Sequence, residues 1–100
     1  MNIYYSLGEY DFEWDEEKAK INKQKHGIRF ETAVNVFMDK NFVDDIDELH
    51  SDFEERIKVI GKVKEILTVI YTERGENYRI ISARRADKNE EALYYEQFYY

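Results

Sequence analysis

In Tyr78-Arg79-Ile80-Ile81-Ser82-Ala83-Arg84-Arg85 strand-forming residues are interspersed with arginines, and the β-branched residues among them predict a strand over about 78–84. A stretch this apolar belongs in the middle of a sheet. Regular alternation would put Tyr78, Ile80, Ser82 and Arg84 on one face and Arg79, Ile81, Ala83 and Arg85 on the other. Two further strands are predicted, at about 56–61 and 66–72, and the short connections between the three read as antiparallel hairpins. Tyr10 to Trp14 alternates aromatic with acidic residues and predicts a short strand.

Helical signals flank these strands. Asp15 is a cap, Glu16 and Glu17 fill a first turn, and Lys23, Lys25 and His26 before Gly27 close a helix over 15–26. Phe30, Ala33, Val34, Phe37 and Met38 fall on one stripe and predict a second helix over 30–38 with all five in the core. Phe42-Val43 begins a short extended segment, and 44–55 reads as an acidic connection. Asp87, with Glu90 three residues on, predicts a capped final helix, and the aromatic tail over 93–100 is expected to pack on the sheet. The expected fold is α+β: two N-terminal helices, a mostly antiparallel sheet and a C-terminal helix, in a single domain over 1–100.

Composition narrows the setting. The 100 residues contain no Cys, which excludes disulfides and thiolate metal sites and fits a reducing, cytoplasmic compartment. No stretch approaches the roughly 20 apolar residues needed to span a bilayer, so no membrane partner is expected. The formal charge is −7, against the basic footprint of an RNA or DNA binder. That charge is segregated. Windows 18–30, 56–64 and 74–86 together carry +12, leaving −19 for the rest, so a local positive surface forms if the fold unites them. The arginines among them suit phosphate recognition, because a guanidinium donates two parallel hydrogen bonds and stays charged.

The ordered set Phe12-Glu13-Trp14-Asp15, Lys18, Asn22, Lys25-His26-Gly27, Phe30-Glu31, Ala33, Asp47, His50-Ser51, Glu55-Arg56, Ile60-Gly61, Thr72-Glu73-Arg74-Gly75 and Arg79 to Arg84, followed by Ala86, Glu90 or Glu91 and Tyr94 or Tyr95, resembles the BrnT toxins of type II toxin–antitoxin modules. The resemblance covers nearly the whole chain. It implies a RelE-like fold, an endoribonuclease activity that stops translation, and neutralisation by a BrnA-like antitoxin of the ribbon-helix-helix type, through which the complex would reach operator DNA.

RNA cleavage by the ribose 2′-hydroxyl needs backbone positioning, charge neutralisation and proton transfer, and no metal or other cofactor is implied. The candidate catalytic residues are Arg74, Arg79 and Arg84 for charge, with Glu55 and His26 for proton transfer and His50 as a further titratable group. Candidate RNA-binding residues are Lys23, Lys25, Arg56 and, by stacking on a base, Trp14. A metal site from Asp44, Asp45, Asp47, Glu48 and His50 is the less favoured reading of what looks like a solvated acidic loop. Arg79 and Arg84 are five apart, so they share a pocket only if a bulge re-aims one of them. The acidity of the chain supports an alternative: a catalytically degenerate module that binds the antitoxin and modulates its hold on operator DNA.

Overall fold

The computed structural model describes residues 1–47 and 54–99. Six strands form one mixed sheet: β1 (Asn2–Leu7), β2 (Tyr10–Asp15), β3 (Val43–Ile46), β4 (Ile57–Val63), β5 (Glu65–Arg74) and β6 (Asn77–Arg85), in the spatial order β1-β2-β6-β5-β4-β3. Neighbours are antiparallel except β2 and β6, which run parallel and pair only at Phe12 with Tyr78 and Glu13 with Arg79. The fold is therefore α+β, as the patterning implies, with two corrections. The chain opens on a β-hairpin rather than on two helices, and the acidic connection contains β3.

Helix α1 (Glu16–His26) is set by its ends. The Asp15 carboxylate accepts from the Lys18 N–H at 3.0 Å, and Gly27 closes the helix in the left-handed region at φ 71° with its N–H on the Lys23 carbonyl. Only the first turn of the predicted second helix is α-helical, as α2 (Phe30–Ala33); a 3-10 helix over Val34–Met38 follows. The tighter winding turns the end of the stripe away from the sheet. Met38 is 44% exposed instead of core, while Val36 rotates in and is fully buried. Gly61 on β4 receives it: a Cβ there would lie 2.9 Å from both the Val36 Cβ and its carbonyl oxygen.

These helices cover one face of the sheet. Phe12, Trp14, Val59, Leu67, Val69, Tyr71, Ile80 and Ala83 pack there against Ile28, Phe30, Ala33, Val34, Val36 and Phe37. Each fully buried valine or phenylalanine contributes about 1.5–3 kcal/mol relative to exposure. The opposite face is covered at one end by α3 (Lys88–Glu96), where Tyr94 packs on Ile60 and Ile66. The Asp87–Glu90 capping box is present in both directions. Of the aromatic tail Tyr94 is buried, whereas Leu93, Tyr95, Phe98 and Tyr99 remain exposed.

Candidate nucleic-acid interface

A bulge turns Arg79 and Arg84 of β6 to the same face of the sheet. Opposite β5 the register steps from Ile70 with Ser82 to Tyr71 with Ile80, so Ile81 is an extra residue. Ile80 and Ala83, three apart, consequently both enter the same core. The faces expected from regular alternation are corrected accordingly: Arg79, Ser82 and Arg84 share the face away from α1. Across the sheet Arg79 stands opposite Thr72, Ser82 opposite Ile70 and Arg84 opposite Thr68; Ile70 in turn faces Lys58 on β4. Arg56 precedes β4 on that same side, because Ile57 packs into the opposite core.

Between these strands lies a groove of about 340 Å³ lined by Asp47, Arg56, Ile70, Ile81, Ser82 and Arg84. A second cleft, lined by Lys18, Ile21, Asn22, Lys25, His26, Ile81 and Ser82, meets it at the shared bulge residues. The joined surface passes over the free edge of β6. That edge is free because β2 pairs β6 only at its start, and Asn22 takes the missing strand's place. Its side-chain carbonyl accepts from the Ala83 N–H at 3.1 Å while its amide donates to the carbonyls of Ala83 and Ile28 at 2.9 and 3.1 Å. Asn22 is buried and structural, and its neighbours Lys18, Lys25 and His26 carry the polar surface of the second cleft.

The guanidiniums are not bare. Arg79 donates to Glu13 at 2.6 Å, and Asn77 holds the other carboxylate oxygen at 3.1 Å. Burial alone would raise the Glu13 carboxyl, but these two hydrogen bonds, with the charges of Arg79 and Arg74, bring it below its ordinary value. Arg84 grips Glu90 with both nitrogens, at 2.6 and 2.9 Å, and Lys58 reaches the same carboxylate at 3.2 Å. Burial opposes ionisation of Glu90 too, yet Arg84, the Asp87 N–H and Lys58 hold its pKa at about 2. In return the Glu90 hydrogen bonds raise Arg84 above its ordinary value. Arg74, half exposed at the end of β5, pairs with Glu54 at 3.3 Å.

The remaining candidates are dispersed. Glu55 is exposed beside Arg56, with its backbone carbonyl accepting from the Thr72 hydroxyl at 2.8 Å. Lys23 lines a different cleft, with Lys20 and Arg29 on the far side of α1, and so lies away from Lys25. Trp14 is 1% exposed, tilted against Tyr5 and edge-on to Phe30; a ring enclosed this way has no face to offer a base, which corrects the expected stacking role. His50 and Glu48 lie outside the described residues. Sequence reasoning passes over Ser82, which lines the groove, over Lys58, which stands opposite Ile70 beside it, and over Glu13 and Glu90 as the arginines' partners. The spacing of Ile80 and Ala83 is the only signal in the sequence for the bulge.

Comparison with known proteins agrees with this architecture. The model of a family described as ribonuclease toxin, BrnT, of type II toxin–antitoxin system matches residues 14–90. The crystal structure of the Brucella abortus ribonuclease toxin BrnT is similar at 28% identity and a TM-score of 0.56, covering 75% of this chain and 94% of that one. A comparison with curated proteins finds no match. With more than three quarters of its length matched to the family model, the chain belongs to the BrnT family of type II toxin–antitoxin ribonuclease toxins.

Proposed function

We propose that the chain is a metal-independent endoribonuclease with a RelE-like fold that arrests translation in the cytoplasm until a BrnA-like antitoxin covers its groove. The observation that carries this reading is the bulge at Ile81, which gathers Arg79, Ser82 and Arg84 on one face beside Arg56 and Lys58. In the proposed reaction the ribose 2′-hydroxyl attacks the adjacent phosphorus, the 5′-oxygen leaves with a proton, and a 2′,3′-cyclic phosphate and a 5′-hydroxyl result. Guanidiniums fixed in the groove stabilise the charge that develops on the phosphoryl oxygens. Arg56 and Arg84 line the groove itself; Arg79 and Arg74 extend the same face towards Glu13. His26 at the joined cleft and Glu55 beside Arg56 are the proposed proton-transfer groups, and Lys25 is the proposed backbone contact. Repression of operator DNA then runs through the antitoxin's ribbon-helix-helix domain.

A second reading has its own support. Arg79 and Arg84 are each already neutralised by a carboxylate of the same fold, as expected of a degenerate toxin whose remaining task is to bind the antitoxin.

The deciding experiment incubates antitoxin-free protein with end-labelled single-stranded RNA in excess chelator, beside Arg79→Lys and Arg84→Lys, which keep the ion pairs and lose the guanidinium fork. Discrete cleavage by the parent, weakened at least tenfold in the variants, supports the ribonuclease. Absence of cleavage and of arrest in cell-free translation, with tight antitoxin binding intact, supports the interaction module. Cleavage that chelator abolishes overturns metal independence.

A further inference from the structure

A third cleft, of about 350 Å³, lies at the end of the sheet where the β4–β5 turn, the end of β6 and α3 meet. It is lined by Lys62, Lys64, Glu65, Arg85, Glu91 and Tyr95, with Ile66 and Ala86 as its apolar part. We propose that this cleft is a second phosphate subsite, which holds the RNA backbone some nucleotides away from the groove where the chain is cut; the inference rests on the ribonuclease reading above.

Three observations converge on it. The first is charge that remains available. Arg74, Arg79, Arg84 and Arg85 each hold a carboxylate, and Lys58 shares one, whereas Lys62 and Lys64 form no ion pair among the described residues. Both are exposed. In a chain of net charge −7 the pair is a local concentration of positive charge, shared with the Asp39 carboxylate on which Lys62 acts and with Glu91 of the same lining, and a phosphate would compete with these for it.

The second is backbone strain at one of the two lysines. Lys64 joins β4 to β5 alone, with Val63 paired to Glu65, and has φ 65°, the one positive φ outside glycine among the described residues. That region disfavours any side chain other than those of glycine and, less strongly, asparagine and aspartate. A lysine there gives the turn a charge at the expense of its geometry, the pattern found where strain serves a site.

The third is continuity. Arg85 donates to the His26 carbonyl at 3.2 Å and to both oxygens of Glu65 at 3.1 and 3.2 Å, so it ties this cleft to the end of α1. His26 lines the second cleft, which shares Ile81 and Ser82 with the candidate cutting groove. The three depressions thus follow one another around the second half of β6. Tyr95, 39% exposed and packed edge-on to Tyr94 and tilted against Phe98, places an aromatic ring in the lining of the third.

The test measures binding of fluorescein-labelled, uncleavable 2′-O-methyl RNAs of four and twelve nucleotides across a salt series, for the parent, Lys62→Ala/Lys64→Ala and Lys64→Gly. Binding of the twelve-mer to the double variant is expected to weaken at least tenfold, with the slope of log affinity on log salt reduced by about 1.4, at roughly 0.7 for each single-strand phosphate that a lysine no longer neutralises. The four-mer, seated in the groove, is expected to bind all three proteins alike. Lys64→Gly is expected to raise the unfolding midpoint while still weakening the twelve-mer, which separates loss of charge from loss of fold. An unchanged twelve-mer affinity and slope in both variants overturns the subsite and leaves the ribonuclease reading standing. If the parent binds neither RNA, the ribonuclease reading falls and the subsite with it.

Discussion

Glu90 and Arg84 meet through two hydrogen bonds of 2.6 and 2.9 Å, donated by the two terminal guanidinium nitrogens Nη1 and Nη2, across the boundary between α3 and β6. The same carboxylate accepts from the Thr68 hydroxyl at 3.0 Å and from the Asp87 N–H at 2.9 Å, with Lys58 at 3.2 Å, so one buried side chain caps its own helix and fixes that helix to three strands. Glu90 is only 4% exposed, so removing its charge leaves the partly buried Arg84 and Lys58 without their counter-ion. Glu90→Gln is expected to lower stability by about 3 kcal/mol, the usual scale for breaking a buried pair on one side. Urea unfolding at neutral pH reads this directly; a loss below about 1 kcal/mol would mean that the pair is screened like a surface contact.

The same carboxylate makes stability depend on pH in a defined window. Its pKa falls from an ordinary 4.5 to about 2 on folding. A depressed folded value means that the contribution is complete above the unfolded pKa and is lost as pH falls from about 4.5 towards 2. At 1.36 kcal/mol per unit the contribution is roughly 3 kcal/mol, in line with the cost expected of the broken pair. The stability difference between the parent and Glu90→Gln should therefore shrink as unfolding is measured at pH 7, 4 and 3. A difference that stays constant across those three values would assign the effect to packing. Glu13 and Asp39, also below their ordinary values through hydrogen bonds received, leave both proteins with some acid sensitivity.

What the sequence makes legible is whatever is decided locally. The Asp15 and Asp87 caps, the Gly27 stop and the β4–β5–β6 hairpins rest on residues within a few positions of each other, and each lies within one to three residues of its predicted place. What escapes depends on distant pairing. Strand β1, despite Ile3, Tyr4, Tyr5 and Leu7, is short and has no role legible in the sequence until β2 supplies its hydrogen bonds. Period-three and period-four spacing fit both windings over Phe30 to Met38, and only the close approach of Val36 to Gly61 selects the tighter one. The bulge at Ile81 belongs to the register between β5 and β6, so the sequence alone makes the shared face of Arg79 and Arg84 conditional on it.

Gly61 tests the packing of that 3-10 helix. A Cβ at this position would stand 2.9 Å from the Val36 Cβ, 2.9 Å from its carbonyl oxygen and 3.1 Å from its Cα. Two of those three atoms are backbone and cannot rotate aside. Gly61→Ala is expected to cost about 1–3 kcal/mol through overpacking, despite alanine's better fit to an ordinary backbone. Combining it with Val36→Gly, which removes the opposing Cβ, should recover only part of the loss because the clash with the carbonyl persists. Thermal unfolding of the two single variants and the double variant measures the coupling, and simple additivity would refute direct contact between the two sites.

Asn22 offers the sharpest separation of shape from hydrogen bonding, since its amide stands in for a strand at the open edge of β6. It donates to two carbonyls and accepts from one N–H, all within 3.1 Å, and is 6% exposed. Asn22→Ala strands three backbone groups and is expected to cost about 3 kcal/mol, less than the full sum because water can reach part of the vacated edge. Asn22→Asp keeps the size and the acceptor but turns a carboxylate towards two carbonyl oxygens. It should be the worse substitution at neutral pH. Burial and the carbonyls favour its protonated form, which can donate once, so the folded pKa of the new Asp is raised. The contribution of the new Asp is then most favourable below the ordinary aspartate value of about 3.9 and is lost as pH rises through the raised folded one, opposite in sign to the Glu90 contribution. Unfolding of Asn22→Ala and Asn22→Asp at pH 4 and pH 7, with hydrogen exchange at the Ala83 amide, distinguishes the two effects. If the aspartate variant is as stable as the parent at pH 7, the edge of β6 does not depend on the Asn22 donors.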